Sequence, residues 1–105
     1  MKIDDFVLGW LVGDFEPSLI KTPELEVGIK YYKAGFVDKS HYHKIAVEYT
    51  VIISGKVRMN DITYNSGDIV TTNPYEIANF MCLEDCATLV IKAPSVTEDK
   101  YLINE

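Results

Sequence analysis

Short runs rich in Val, Ile, Thr and Tyr follow one another along the chain, punctuated by Gly, Asn, Asp and Pro. This is the texture of strands and turns. Leu25, Val27, Ile29 and Tyr31 alternate with Glu26, Gly28, Lys30 and Tyr32, which predicts a half-buried strand. Ile45, Val47, Tyr49, Val51 and Ile53 alternate in the same way with Ala46, Glu48, Thr50 and Ile52. Both faces turn apolar toward the end of that run, as expected of a strand inside a barrel or sandwich. Ser54-Gly55 breaks it, residues 56–59 resume it, and Asn60-Asp61 turns it back. A further turn falls at residues 65–68, a strand at 69–72, and Asn73-Pro74 ends that strand. Residues 77–82 and 87–92 read as a hairpin around Leu83-Glu84-Asp85. No stretch carries a sustained helical stripe; residues 4–11 suit one helical turn or an edge strand. The pattern predicts an all-β barrel or sandwich. Within a single 1–105 domain it marks residues 1–24 as an arm crossing the sheet, 25–92 as the barrel core and 93–105 as a tail.

Composition narrows the function classes. The 105 residues are 48% hydrophobic and 25% charged, enough for one ordinary core. The net charge is −6 and neither half is basic, which excludes a nucleic-acid arm, since phosphates demand clustered Lys and Arg. No apolar run reaches membrane-spanning length. The apolar stretch 6–13 is flanked by Asp4, Asp5 and Asp14, unlike a secretory signal, so the expectation is a cytoplasmic protein. Cys82 and Cys86, four apart, read as structural free thiols in such a compartment, with a cross-hairpin disulfide as the alternative.

The chemistry gathers at the only two histidines, His41 and His43. On extended chain, residues two apart face the same side, so both imidazoles point into one cavity. Randomly placed, two histidines would take this spacing in about 2% of cases. Glu48 lies in an otherwise apolar strand, where a carboxylate is costly unless paired, protonated or bound to metal. Two imidazoles and a carboxylate on neighbouring strands match the donor set of a facial triad. Tyr42 and Tyr49, at the alternate positions, point away from the cavity.

Gly35, His41, His43, Glu48 and Gly55, with five, one, four and six residues between them, resemble the first motif of the cupin superfamily. The second motif is present only in part. Gly67-Asp68 opens it, Pro74 comes one residue late, Tyr75 stands at its glycine and Ala78 at its histidine. The resemblance spans residues 25–92 and implies a small antiparallel cupin β-barrel (a double-stranded β-helix, or jelly roll). It implies that His41, His43 and Glu48 point inward, the set with which cupins commonly hold Mn, Fe, Ni, Zn or Cu. With no third histidine in the chain, Glu76, Asn79 or water would complete such a site.

Three function classes follow. The first is a metal-binding cupin holding a divalent ion (Fe, Mn, Ni or Zn) at His41, His43 and Glu48, with Asn79 as a further ligand and open positions for a small molecule. The second is a metal-free isomerase or epimerase of sugar nucleotides with the histidines as acid and base. The third is a non-catalytic ligand-binding or sensor module. Arg58, the single arginine, would clamp a carboxylate or phosphate if it turned inward. Tyr75 and Glu76 sit on the turn expected at the barrel mouth. Glu98, Asp99 and Glu105 read as a solvated acidic tail. A homodimer is expected, because the apolar run around Trp10, Leu11, Val12 and Phe15 exceeds what a small barrel covers alone.

Overall fold

The computed structural model describes residues 1–103. After two single-turn 3₁₀ segments, Ile3–Asp5 and Val7–Gly9, nine strands follow: β1 (Trp10–Gly13), β2 (Ile20–Lys21), β3 (Glu26–Tyr32), β4 (Val37–Tyr42), β5 (Val47–Met59), β6 (Ile62–Asn65), β7 (Ile69–Thr72), β8 (Ala78–Ala93) and β9 (Tyr101–Leu102). They form one continuous sheet with the path β2-β1-β3-β8-β4-β9. β5 lies on the other side of β8 and carries β6 and β7. The all-β class expected from the turn spacing is what the chain adopts, and residues 4–11 hold single helical turns and the start of β1, which lies between β2 and β3 and not at the sheet edge.

The long strand β8 organises the rest. Residues 86–92 pair with β3 and residues 78–81 with β4, while β5 follows β8 along almost its whole length. The hairpin expected around residues 83–85 is therefore absent. The chain passes straight through, because its partners are other strands and Leu83-Glu84-Asp85 is a local irregularity in the ladder. Asp85 instead accepts the Ala34 N–H at 2.8 Å and fixes the β3–β4 turn. Ser54-Gly55 is likewise a bulge within β5 and not a strand end. Gly55 has φ +83°, and a Cβ there would lie 2.3 Å from the Asp85 carbonyl oxygen. Only glycine lets the two long strands meet at that bend.

Directly opposed residues of a ladder share a face, so register shows what looks inward. One inward row is Glu26–Lys92–Glu48–Thr72, the next Gly28–Val90–Thr50–Val70, the next Lys30–Thr88–Ile52. Beyond these lies an apolar cluster of Ile52, Val57, Met59, Phe80, Cys82 and Cys86, with Tyr32, Tyr64 and Val70 packed on it. Ile52 and Val57 are both 0% exposed. The interior thus has an apolar end and a charged end.

The outward rows are Val27–Ile91–Tyr49–Thr71 and Ile29–Leu89–Val51–Ile69. The more apolar face of β3 and β5 is therefore the outer one, and Ile69 is 63% exposed. The N-terminal residues expected to be uncovered are not. Trp10, Leu11, Val12 and Phe15 are half-buried, because Trp10 lies on Gly28 and Phe15 on Gly13, where a Cβ would collide with each ring. Cys82 and Cys86 are buried free thiols with sulfurs 3.3 Å apart.

Candidate functional site

His41 and His43 sit at the end of β4 and in the following loop, and both are buried. Their rings meet edge to face with centroids 5.3 Å apart. His41 Nδ1 lies 2.8 Å from the Lys39 carbonyl oxygen. A carbonyl only accepts, so Nδ1 carries a proton, and in the neutral ring the lone pair is on Nε2. Glu48, near the start of β5, places Oε2 3.7 Å from His43 Nε2. Burial first, then the nearby Lys92 and His41, pull the His43 imidazolium pKa down to about 4, so this ring is uncharged near neutral pH. Burial pushes Glu48 the opposite way, above the usual carboxylate range, with Lys92 and His41 opposing the shift. Both members of the pair are thus driven toward their uncharged forms by the same desolvation.

The loop carrying His43 is held from two sides. Asp99 accepts the backbone N–H groups of Lys44, Ile45 and Ala46 at 3.0, 3.1 and 2.9 Å. It is 2% exposed. Asp99 is thus no part of a solvated tail; Glu98 is exposed, and Glu105 lies outside the described residues. Burial raises the Asp99 pKa, but the three backbone donors and His43 outweigh it and hold the carboxyl below its ordinary value. On the other side, the Tyr75 N–H donates to the His43 carbonyl oxygen at 2.7 Å.

The remaining expected site residues do not join this group. Arg58 is exposed, on the opposite side of β5 from buried Val57 and Met59, so it clamps nothing in the cavity. The Tyr75 side chain is exposed and stacks on Tyr42, which also stacks on Tyr101. Glu76 is exposed and accepts from Asn73 Nδ2 at 2.9 Å. Asn79 lines the cavity with His41 and Glu48, but its amide oxygen accepts the Asn60 N–H at 3.0 Å. That bond takes one of the two lone pairs of the oxygen expected to ligate.

Three lysines not singled out from the sequence surround the site. Lys92 lies between Glu26 and Glu48 in the inward row, 3.8 Å from Glu26 Oε1. Ser95 Oγ donates to the other Glu26 oxygen at 2.9 Å. Lys100 pairs with inward-facing Asp38 at 3.2 Å. Lys30 stands over the Trp10 ring at 4.1 Å and donates to the Leu8 carbonyl. The signal available was parity: Glu26 and Lys30 share the face of Gly28 on β3, and Lys92 shares that of Val90 on β8.

Two imidazoles and a carboxylate are by donor chemistry a set for a divalent ion. His43 and Glu48 form the near pair, with His41 as a third donor beside them. As placed they do not enclose one point: among the described residues no three His, Cys, Asp or Glu side chains stand together as a metal-holding group. Nor, among the described residues, is any helix long and apolar enough to cross a membrane.

No protein-family model matches the chain, and no curated protein matches it. Solved structures do. An uncharacterized conserved protein with a double-stranded β-helix domain from Klebsiella pneumoniae is 20% identical with a TM-score of 0.72, over 100% of this chain and 96% of that one. The DMSP lyase DddQ from Ruegeria pomeroyi is 19% identical with a TM-score of 0.73; 89% of this chain matches 49% of that one. An RmlC-like cupin from Shewanella frigidimarina is 17% identical with a TM-score of 0.67, over 74% of this chain and 72% of that one. The curled sheet built on β5 and β8, with its charged interior end, is therefore the double-stranded β-helix of the cupin fold.

Proposed function

We propose that this chain is a small-molecule-binding cupin whose site holds a divalent metal ion, one of Fe, Mn, Ni or Zn, through His41, His43 and Glu48. The observation that carries the reading is the His43–Glu48 approach at 3.7 Å, beside a His41 whose Nε2 lone pair is left free by the Lys39 carbonyl. The cupin motif spacing from Gly35 to Gly55 supports it. When bound, such an ion would polarise a ligand oxygen as a Lewis acid. The chain's own part is to hold the His43 imidazole uncharged in a desolvated pocket, to brace the His43 loop through Asp99, and to keep Lys92 between Glu26 and Glu48.

Elemental analysis of protein purified without a histidine tag tests this. About one equivalent of metal per chain is expected, or a thermal stabilisation by added Mn, Fe(II), Ni or Zn. Either should vanish in His41→Ala and in Glu48→Gln. A metal-free protein indifferent to all four ions overturns the reading.

A second reading is favoured by the desolvation of the same pair. Without an ion, Glu48, whose pKa burial raises, facing a neutral His43 is a carboxyl–imidazole pair suited to acid–base chemistry. It takes precedence if metal is excluded and Glu48→Gln still alters the fate of a bound ligand. The expected homodimer belongs on the outer sheet face, where Tyr49, Ile53 and Ile69 are exposed. A cytoplasmic setting suits the two free thiols.

A further inference from the structure

A larger cavity of about 600 Å³ adjoins the histidine site, the two sharing Tyr32 and Asp38 in their walls. The N-terminal segment forms one wall through Phe6 and Leu8, and Phe36 adds further apolar surface. Its charged groups are Asp4, Lys30, Asp38 and Lys100, which sum to zero. Lys100 and Asp38 satisfy each other at 3.2 Å. Lys30 differs from the other inward lysines: among the described residues it has no carboxylate within ion-pairing distance. Its contacts are the Leu8 carbonyl and the Trp10 ring face.

We infer that this mouth cavity binds the carboxylate of a small organic acid with an apolar body, with the Lys30 ammonium as its counter-ion. An ammonium held over an aromatic face and half withdrawn from water lacks the full charge compensation an anion supplies. Burial, with Lys92 adding repulsion, draws the Lys30 pKa down to about 8, which agrees with an under-compensated cation. Aromatic and aliphatic walls then take the rest of the molecule. The zero sum of charges favours a monoanion; a dianionic phosphate or a nucleotide would face Asp4 and Asp38 with only one uncommitted cation. This goes beyond the proposed function and needs no metal at His41, His43 and Glu48.

The single tryptophan, Trp10, is the reporter, since Lys30 rests on its ring. Chelator-treated protein is titrated with phenylacetate, the neutral phenylacetamide and inorganic phosphate while Trp10 emission is followed. Phenylacetate should give a saturable change, with phenylacetamide and phosphate weaker by about tenfold or more, the equivalent of one charge-assisted contact. Lys30→Met, which keeps the stem on Trp10, should weaken phenylacetate by a similar factor, and Lys30→Arg should restore it. Binding to the chelator-treated protein separates this site from the metal reading. Failure of phenylacetate to saturate the folded wild-type protein into the tens of millimolar overturns the inference. So does equal binding of phenylacetamide or phosphate.

Discussion

Replacing Asp99 by alanine removes one side chain and strands three backbone donors in the loop that positions His43. The bonds to Lys44, Ile45 and Ala46 are 3.0, 3.1 and 2.9 Å long. An unsatisfied buried donor costs about 1–3 kcal/mol. Lys44 and Ile45 are exposed residues whose N–H groups water can reach after the change, whereas Ala46 is 0% exposed. The loss is therefore dominated by the Ala46 N–H, and we expect about 3 kcal/mol for Asp99→Ala and about 1–2 kcal/mol for Asp99→Asn, which keeps one acceptor. Against a typical total of about 5–15 kcal/mol this is large. Urea unfolding followed by Trp10 emission measures it at pH 7. The pH dependence is a second, independent check. The folded carboxyl has a depressed pKa, so its contribution is complete above the unfolded value of about 3.9 and fades as pH falls through the lower folded value. The wild type and Asp99→Asn should thus differ fully at pH 6–7 and converge in strong acid. A difference under about 0.5 kcal/mol at pH 7, the scatter of ordinary surface substitutions, would refute the bracing role.

Three further outcomes follow from the same geometry. Gly55 and Gly35 both have positive φ, but only Gly55 faces a backbone wall, while a Cβ on Gly35 meets nothing within 4 Å; Gly35→Ala should cost about 1 kcal/mol and Gly55→Ala at least twice that in urea unfolding. Cys82 and Cys86 are buried, and burial, with the neighbouring Cys82 thiol, pushes the Cys86 pKa up to about 12; an aromatic disulfide reagent should label neither thiol in the native protein and both in urea. Ile69→Asp, on the outer sheet face, should reduce the mass seen by light scattering to that of one chain with little change in melting temperature; a wild type already monomeric at high concentration rules out that interface.

Much of the site could be read from spacing alone, because strand parity is a local property. Two histidines two apart on extended chain share a face wherever the strand is placed, and a glutamate in an apolar run marks itself as needing a partner. Asn79 and Arg58 are set by relations that spacing does not carry. Asn79 does line the cavity, but what its oxygen binds depends on Asn60 in another turn. Whether Arg58 faces in or out depends on the bulges between residues 52 and 57, which reverse the inward parity of β5. The same limit explains the hairpin expected at residues 83–85: a turn-like composition fits a bulge as well as a reversal, and only the partner strands choose.

By itself the sequence determined the strand-rich class and the common face of the two histidines. These follow from side-chain periodicity along a pleated chain. The tertiary structure alone decided what surrounds them. Lys30, Lys92 and Lys100 come from separate strands and the C-terminal segment, and Asp99 reaches Ala46 across 53 positions. It also decided that the apolar face of β3 and β5 is the outer one and that the polar face lines the cavity. Register and long-range closure set those relations, and neither leaves a mark on local composition.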